Sequence, residues 1–312
     1  MNRFHGILFV SHGIAEEKEA LKQALSLARN NKALLHALIV CPALPKEMEE
    51  YTDKYKAALK EQLQTSLQAA RDSIKVTDRE LLVEIAVESG STPAIRIVRH
   101  VLKQAHDLVI KEAQPVEAGK GFQAIDMELL RKCPVPVWLT RPIQQHRDTI
   151  RVAVAVDPQS IAPEGHDLSL NLLTIARALA DTCDGELRIV SCWDYLYENT
   201  LRGNVWIRIS TKELNSTLEA VRLNHLADLE RLVREAKISG TVHTHHLHGL
   251  PDEAIPRYVT EQKIDILVMG TVARTGIYSF VMGNTAENIL QKLPCSLLAL
   301  KPNGFMSPVR LY

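Results

Sequence analysis

The sequence predicts two tandem α/β units, each a parallel sheet of short buried strands covered on both faces by helices. Three observations carry this expectation. The chain has 312 residues, which suits two domains of about 150 residues each. Short apolar runs alternate with stretches of helical periodicity along its whole length, the pattern of a parallel sheet whose crossovers are helices. The segment 131–142 also recurs 160 residues later at 291–302: Lys132 answers Lys292, Pro134 answers Pro294, Arg141 answers Lys301 and Pro142 answers Pro302. Gly90 and the Pro93, Ala94, Ile95 that follow it similarly answer Gly249, Pro251, Ala254 and Ile255 at nearly the same displacement, so duplication explains both.

In the first unit, residues 7–10 read as a strand, and Leu21, Leu25 and Ala28 then fall at helical spacing. A strand at 34–40 precedes a long helix carrying Leu59, Leu63 and Leu67. A strand at 82–87, a helix from Pro93, a strand at 108–110, a short helix at 127–130 and a strand at 135–139 complete the unit. The second unit repeats the order, with strands at 152–156, 187–191, 242–247, 264–269 and 296–300. Its helices fall at 172–179, 218–233 and 253–262, and a further one follows Gly283. Polar residues His146, Arg147 and Asp148, just after Pro142, mark the linker, which places the domains at 1–145 and 149–312.

Composition removes several function classes. Thirty-seven basic residues balance 37 acidic ones, so nothing draws the molecule to nucleic acid or to an anionic membrane. No apolar run approaches the roughly 20 residues of a membrane span, and the run at 7–10 is too short for a signal-peptide core. The five cysteines form no CxxC pair, and their odd number argues against a disulfide framework; a cytoplasmic protein is expected. No Gly-x-Ser-x-Gly elbow, His-Glu-x-x-His or paired-carboxylate motif points to a dedicated enzyme.

The most informative segment runs from Asp265 to Leu290. An apolar strand breaks at Gly270, a loop carries Gly276, and Gly283, Asn284 and Thr285 open a helix. Glycine at the end of a strand lets backbone approach a ligand, and the free N–H groups of a helix start suit an anion. This segment resembles the nucleotide motif of the universal stress protein family: Gly, two residues, Gly, nine residues, Gly, then Ser or Thr. Gly270 and Gly283 match the first and third glycines; Ala273 stands at the second and Asn284 at the Ser/Thr position. Together with 129–138, 270–276, 283–287 and Lys301-Pro302, the chain is similar over nearly its whole length to the tandem type of this family.

The resemblance implies two five-stranded Rossmann-like sheets of order 3-2-1-4-5, paired within the chain through their last strands; association of whole chains into a homodimer stays open. It also implies a stress-response regulator that binds ATP or AMP, with or without magnesium, in the second unit. Val156 and Asp157 then face the glycine loop across the crevice where the winding reverses, and Asp157 contacts the adenosine. The alternative for Asp157 is a cap on the turn with Pro158. Phosphates would meet backbone N–H groups from Gly270 through Thr271 to Ala273 and from Gly283 to Thr285, with Arg274 as an adjacent cation. Arg274 can equally be a solvated loop residue, and the glycines a tight loop without ligand.

The first unit ends its first strand in Ser11, His12 and Gly13, with no aspartate, and its fourth strand runs into Lys111 and Glu112. Gly119 and Gly121 are displaced, and Glu112 and Glu117 would repel a phosphate that Lys111 and Lys120 would attract. This copy is expected to have lost the site. His243 and His245 share one strand face and could chelate zinc, given two more ligands. The other readings are a slow ATPase in the same pocket and a scaffold for an apolar metabolite or metal. Trp138, on a last strand, is expected to fill an interface. Cys41 and Cys192, each ending a second strand, suggest core packing inherited from the duplication.

Overall fold

A parallel sheet with helices on both sides needs strands that are apolar on both faces, and the central strands meet this: in the fourth strand Leu108, Val109 and Ile110 have no exposure. The computed structural model describes residues 4–13, 17–77, 80–114, 116, 119–143, 149–160, 162–183, 185–203, 209–272 and 282–311. The first half contains β1 (Gly6–Ser11), α1 (Lys18–Asn31), β2 (Leu34–Cys41), α2 (Thr52–Ile74), β3 (Val83–Ser89), α3 (Pro93–Gln104), β4 (Leu108–Glu112), α4 (Ala124–Lys132) and β5 (Val137–Thr140). The second contains β6 (Arg151–Ala155), α5 (Pro163–Thr182), β7 (Glu186–Trp193), α6 (Glu198–Gly203), α7 (Thr211–Glu235), β8 (Val242–His248), α8 (Pro251–Glu261), β9 (Ile266–Gly270), α9 (Asn284–Lys292) and β10 (Ser296–Leu300).

All ten strands lie in one sheet, in the order β3-β2-β1-β4-β5-β10-β9-β6-β7-β8. Each half is parallel with order 3-2-1-4-5, and the halves meet where β5 and β10 run antiparallel. There Trp138 pairs with Leu298, flanked by Val137 with Ala299 and Leu139 with Leu297. Trp138 and Leu298 are equivalent residues of the two copies, 160 apart, so the pseudo-two-fold axis passes through this pair.

One apolar layer joins α1, α2, α5 and α7 to one face of the sheet; the other joins α3, α4, α8 and α9 to the opposite face. On the second face side chains also cross between halves. Arg131 on α4 pairs with Glu287 on α9, and Ser307 Oγ donates to Lys132 O at 2.7 Å. Gly121, one of the displaced glycines, belongs to this contact: its φ is +80°, and a Cβ there would lie 2.9 Å from the Gln291 carbonyl oxygen.

Several expectations shift in detail. α5 begins at Pro163, well before 172, because Pro occupies its first turn and a polar stretch hides the period. The short α6 and a 3-10 turn at Lys46–Tyr51 carry no apolar period and were not expected. Leu82 lies outside β3 and is 72% exposed. Cys41 and Cys192 are not equivalent: pairing aligns Leu38 with Val190, so Cys192 answers Val40, and the two thiols face opposite apolar layers.

Candidate functional site

Strand pairing fixes which residues of the two halves occupy the same place. Glu112 pairs with Thr140 as Gly270 pairs with Leu300, so Glu112 stands where the second half has its strand-ending glycine. By the same ladders Lys111 answers Met269, and His12, one residue past β1, answers Asp157, two past the end of β6. α4 and α9 correspond from their caps, Gln123 and Gly283, so Asp126 answers Ala286 as the third residue of the helix. The mouth of each half, at the carboxyl ends of its first and fourth strands, can therefore be compared position by position.

In the second half, β6 and β9 are hydrogen-bonded neighbours, which brings Val156 and Asp157 to the same end of the sheet as Gly270 and Thr271. Val156 is buried and Asp157 half-buried. Asp157 Oδ1 accepts from the Gln159 N–H at 3.1 Å, so the turn-capping role expected as the alternative is present. Its backbone carbonyl accepts from Ser169 Oγ at 3.2 Å.

Gly270 lies at the end of β9, where a Cβ would meet Leu168 Cδ2 of α5 at 2.9 Å, the tip of a side chain that can shift. Thr271 is buried, its Oγ1 without a hydrogen-bond partner among the described residues. Two N–H groups expected to face phosphate are committed elsewhere: Thr271 donates to Leu300 O and Gly283 to Thr271 O, both at 3.2 Å. α9 starts at Asn284 and Thr285 without a side-chain cap, so its first-turn N–H groups are the anion donors that remain. Ala273 and Arg274 lie outside the described residues.

The first half fills the same mouth with its own side chains. Lys111 has no exposure, and its Nζ lies 2.7 Å from Asp126 Oδ1, 2.9 Å from Glu112 O and 3.2 Å from His12 Nε2. Asp126 Oδ1 and the Glu112 carbonyl accept from the ammonium, and the His12 ring lies beside it. Burial and the Lys111 charge lower the His12 pKa, consistent with a neutral imidazole whose Nδ1 faces the Gln114 amide at 3.0 Å. Glu17 is buried; it accepts from Ser11 Oγ and, at 2.9 Å, from the His12 N–H. Burial, then the Glu17 charge, raises Glu112 to about 7. Lys111 therefore does not offer its charge outward, and Glu117 lies outside the described residues. Sequence reasoning noticed Lys111 but missed Asp126; the only signal was a lysine interrupting an apolar strand.

Comparisons with known proteins agree with this architecture. The profile of the universal stress protein family matches twice, at residues 3–141 and 150–301. The chain belongs to the universal stress protein family. It is 29% identical to universal stress protein E of Photorhabdus laumondii over 99% of both chains, and 32% identical to that of Escherichia coli K12 over 73% of this chain and 71% of the relative. Among solved structures, a functionally unknown protein of Pseudomonas aeruginosa PAO1 superposes with a TM-score of 0.69 at 23% identity, covering 97% of this chain and 95% of that one. A universal stress protein from Archaeoglobus fulgidus DSM 4304 gives 0.62 at 16% identity, covering 95% and 98%. The chain is thus a tandem universal stress protein.

The other candidate residues of this tandem protein make contacts of their own. His243 approaches Glu186 at 3.6 Å, and the His245 ring packs on Tyr258 with centroids 4.9 Å apart. His246 instead meets His225 of α7 at 2.9 Å, and burial with the His225 charge lowers it to about 4. Among the described residues no three His, Cys, Asp or Glu side chains are grouped to hold a metal ion. Burial raises Cys133 to about 11 and Cys192 and Cys295 to about 12, so none of these is a reactive thiol. No described helix is long and apolar enough to cross a membrane.

Proposed function

We propose that this universal stress protein binds one adenine nucleotide, ATP or AMP, in its second half, and acts as a non-enzymatic regulator in the stress response. The observation that carries this reading is the contrast between equivalent mouths. The second half keeps Asp157 and Gly270 side by side ahead of an uncapped helix start, while the first half has His12, Glu112 and Asp126 in the corresponding places. An uncapped helix start following a strand-ending glycine favours a phosphate, and a carboxylate at Asp157 suits ribose hydroxyls or an adenine amino group. The buried Thr271 hydroxyl adds a polar group at the same mouth. In this reading the halves, 1–145 and 149–312, stand to each other as the protomers of a single-domain dimer. Ligand binding biases the conformation or a partner surface, with little turnover.

Thermal stabilisation by ATP and by AMP, each with magnesium, tests the placement. Gly283→Leu, which puts a bulky side chain at the start of α9, is expected to abolish the stabilisation. Unchanged stabilisation in this variant would overturn the site.

A further inference from the structure

The first half of the molecule is not merely missing a ligand site, because the same location holds a complete buried charge pair. Asp126 is the third residue of α4, has no exposure, and its helix has no side-chain cap from Gln123. Helical side chains lean toward the N-terminus, the end of a helix at which an anion is favoured. Asp126 Oδ2 finds no hydrogen-bond donor among the described residues, Oδ1 lies 2.7 Å from the Lys111 ammonium, and Arg141 is a second cation that feels its charge. In the second half the two corresponding residues are Met269 and Ala286, both apolar and both buried. The charge pair is therefore an addition by this half and not a requirement of the fold.

We infer that Asp126 acts as a built-in ligand: its carboxylate, neutralised by Lys111, occupies the anion position of the first half and keeps it permanently closed to free anions. The cage is complete on the cationic side, since Lys111 also reaches the Glu112 carbonyl and His12. Removing only the carboxylate leaves a buried ammonium next to an uncapped helix start, a site for a small oxyanion. This inference stands apart from nucleotide binding in the second half, because its test uses no nucleotide.

The experiment is chemical rescue in the full chain. Asp126→Ala is expected to lower the melting temperature by on the order of 10 °C, the loss that follows when a buried pair is broken from one side. Sodium formate, and separately inorganic phosphate, should restore about half of that loss, while sodium chloride at matched ionic strength should not. Neither anion should shift the wild-type protein beyond the chloride control. The double variant Lys111→Met, Asp126→Ala, which carries the second half's own residues, should melt near wild type and ignore formate. If Asp126→Ala alone yields no folded protein, recovery of folding in the double variant supports the pair, and failure of the double variant overturns it. Equal anion responses in wild type and Asp126→Ala, or no loss of stability in Asp126→Ala, would also overturn the inference.

Discussion

Glu112 shows how one residue sets the character of a whole mouth. It occupies the register position of Gly270, beside Glu17 and Lys111, and its carboxyl is raised to about 7 from an ordinary 4.5. A carboxylate raised in the folded state prefers to be protonated there, so folding takes up a proton between these values. The resulting penalty is absent below about pH 4.5, grows as pH rises, and is full above about pH 7. Glu112→Gln is therefore expected to raise the melting temperature relative to wild type at pH 8 and to leave it nearly unchanged at pH 4.5. Melting curves at the two pH values check this; an equal shift at both would mean that burial of Glu112 carries no proton linkage. At this scale the sequence was only partly legible. Lys111 and Glu112 stood out in an apolar strand, but the partner that gives Lys111 its meaning lies fifteen positions on, across a loop. Nothing in the local pattern singles out Asp126 from any acidic residue in a helix's first turn.

Among the elements, those with a strong apolar period were readable and those held by polar contacts were not. The inner strands and α1 followed directly from buried residues at their proper spacing. α5 was misjudged because its first turns are polar, and α6 because six residues offer no period to read. α7 starts at Thr211, before the expected 218, on a local signal that the apolar period does not carry: Ser210 caps it, accepting from the Glu213 N–H at 3.2 Å, and the Glu213 carboxylate accepts from the Ser210 N–H at 3.0 Å. Ser210→Ala removes the cap oxygen and is expected to cost about 1 kcal/mol. Urea unfolding would reveal it as a lower midpoint with an unchanged slope; no change in midpoint would show that α7 is held by packing alone.

For the whole molecule, duplication and the parallel-sheet architecture were both visible in the sequence, because a repeated segment and an alternation of strand and helix patterns are long-range signals. The position of the pseudo-two-fold axis was not, since it depends on the antiparallel register of β5 on β10. The two mouths open on a shared sheet with different fillings: one is closed by Lys111 and Asp126, the other carries Asp157 and Gly270 before an uncapped helix. One nucleotide per chain follows from this contrast. Calorimetric titration of the purified, nucleotide-stripped protein with ATP and magnesium measures that stoichiometry directly. The predicted result is saturable heat at one site per chain, lost in Asp157→Ala. Two sites per chain, or no heat at millimolar ATP, would contradict it.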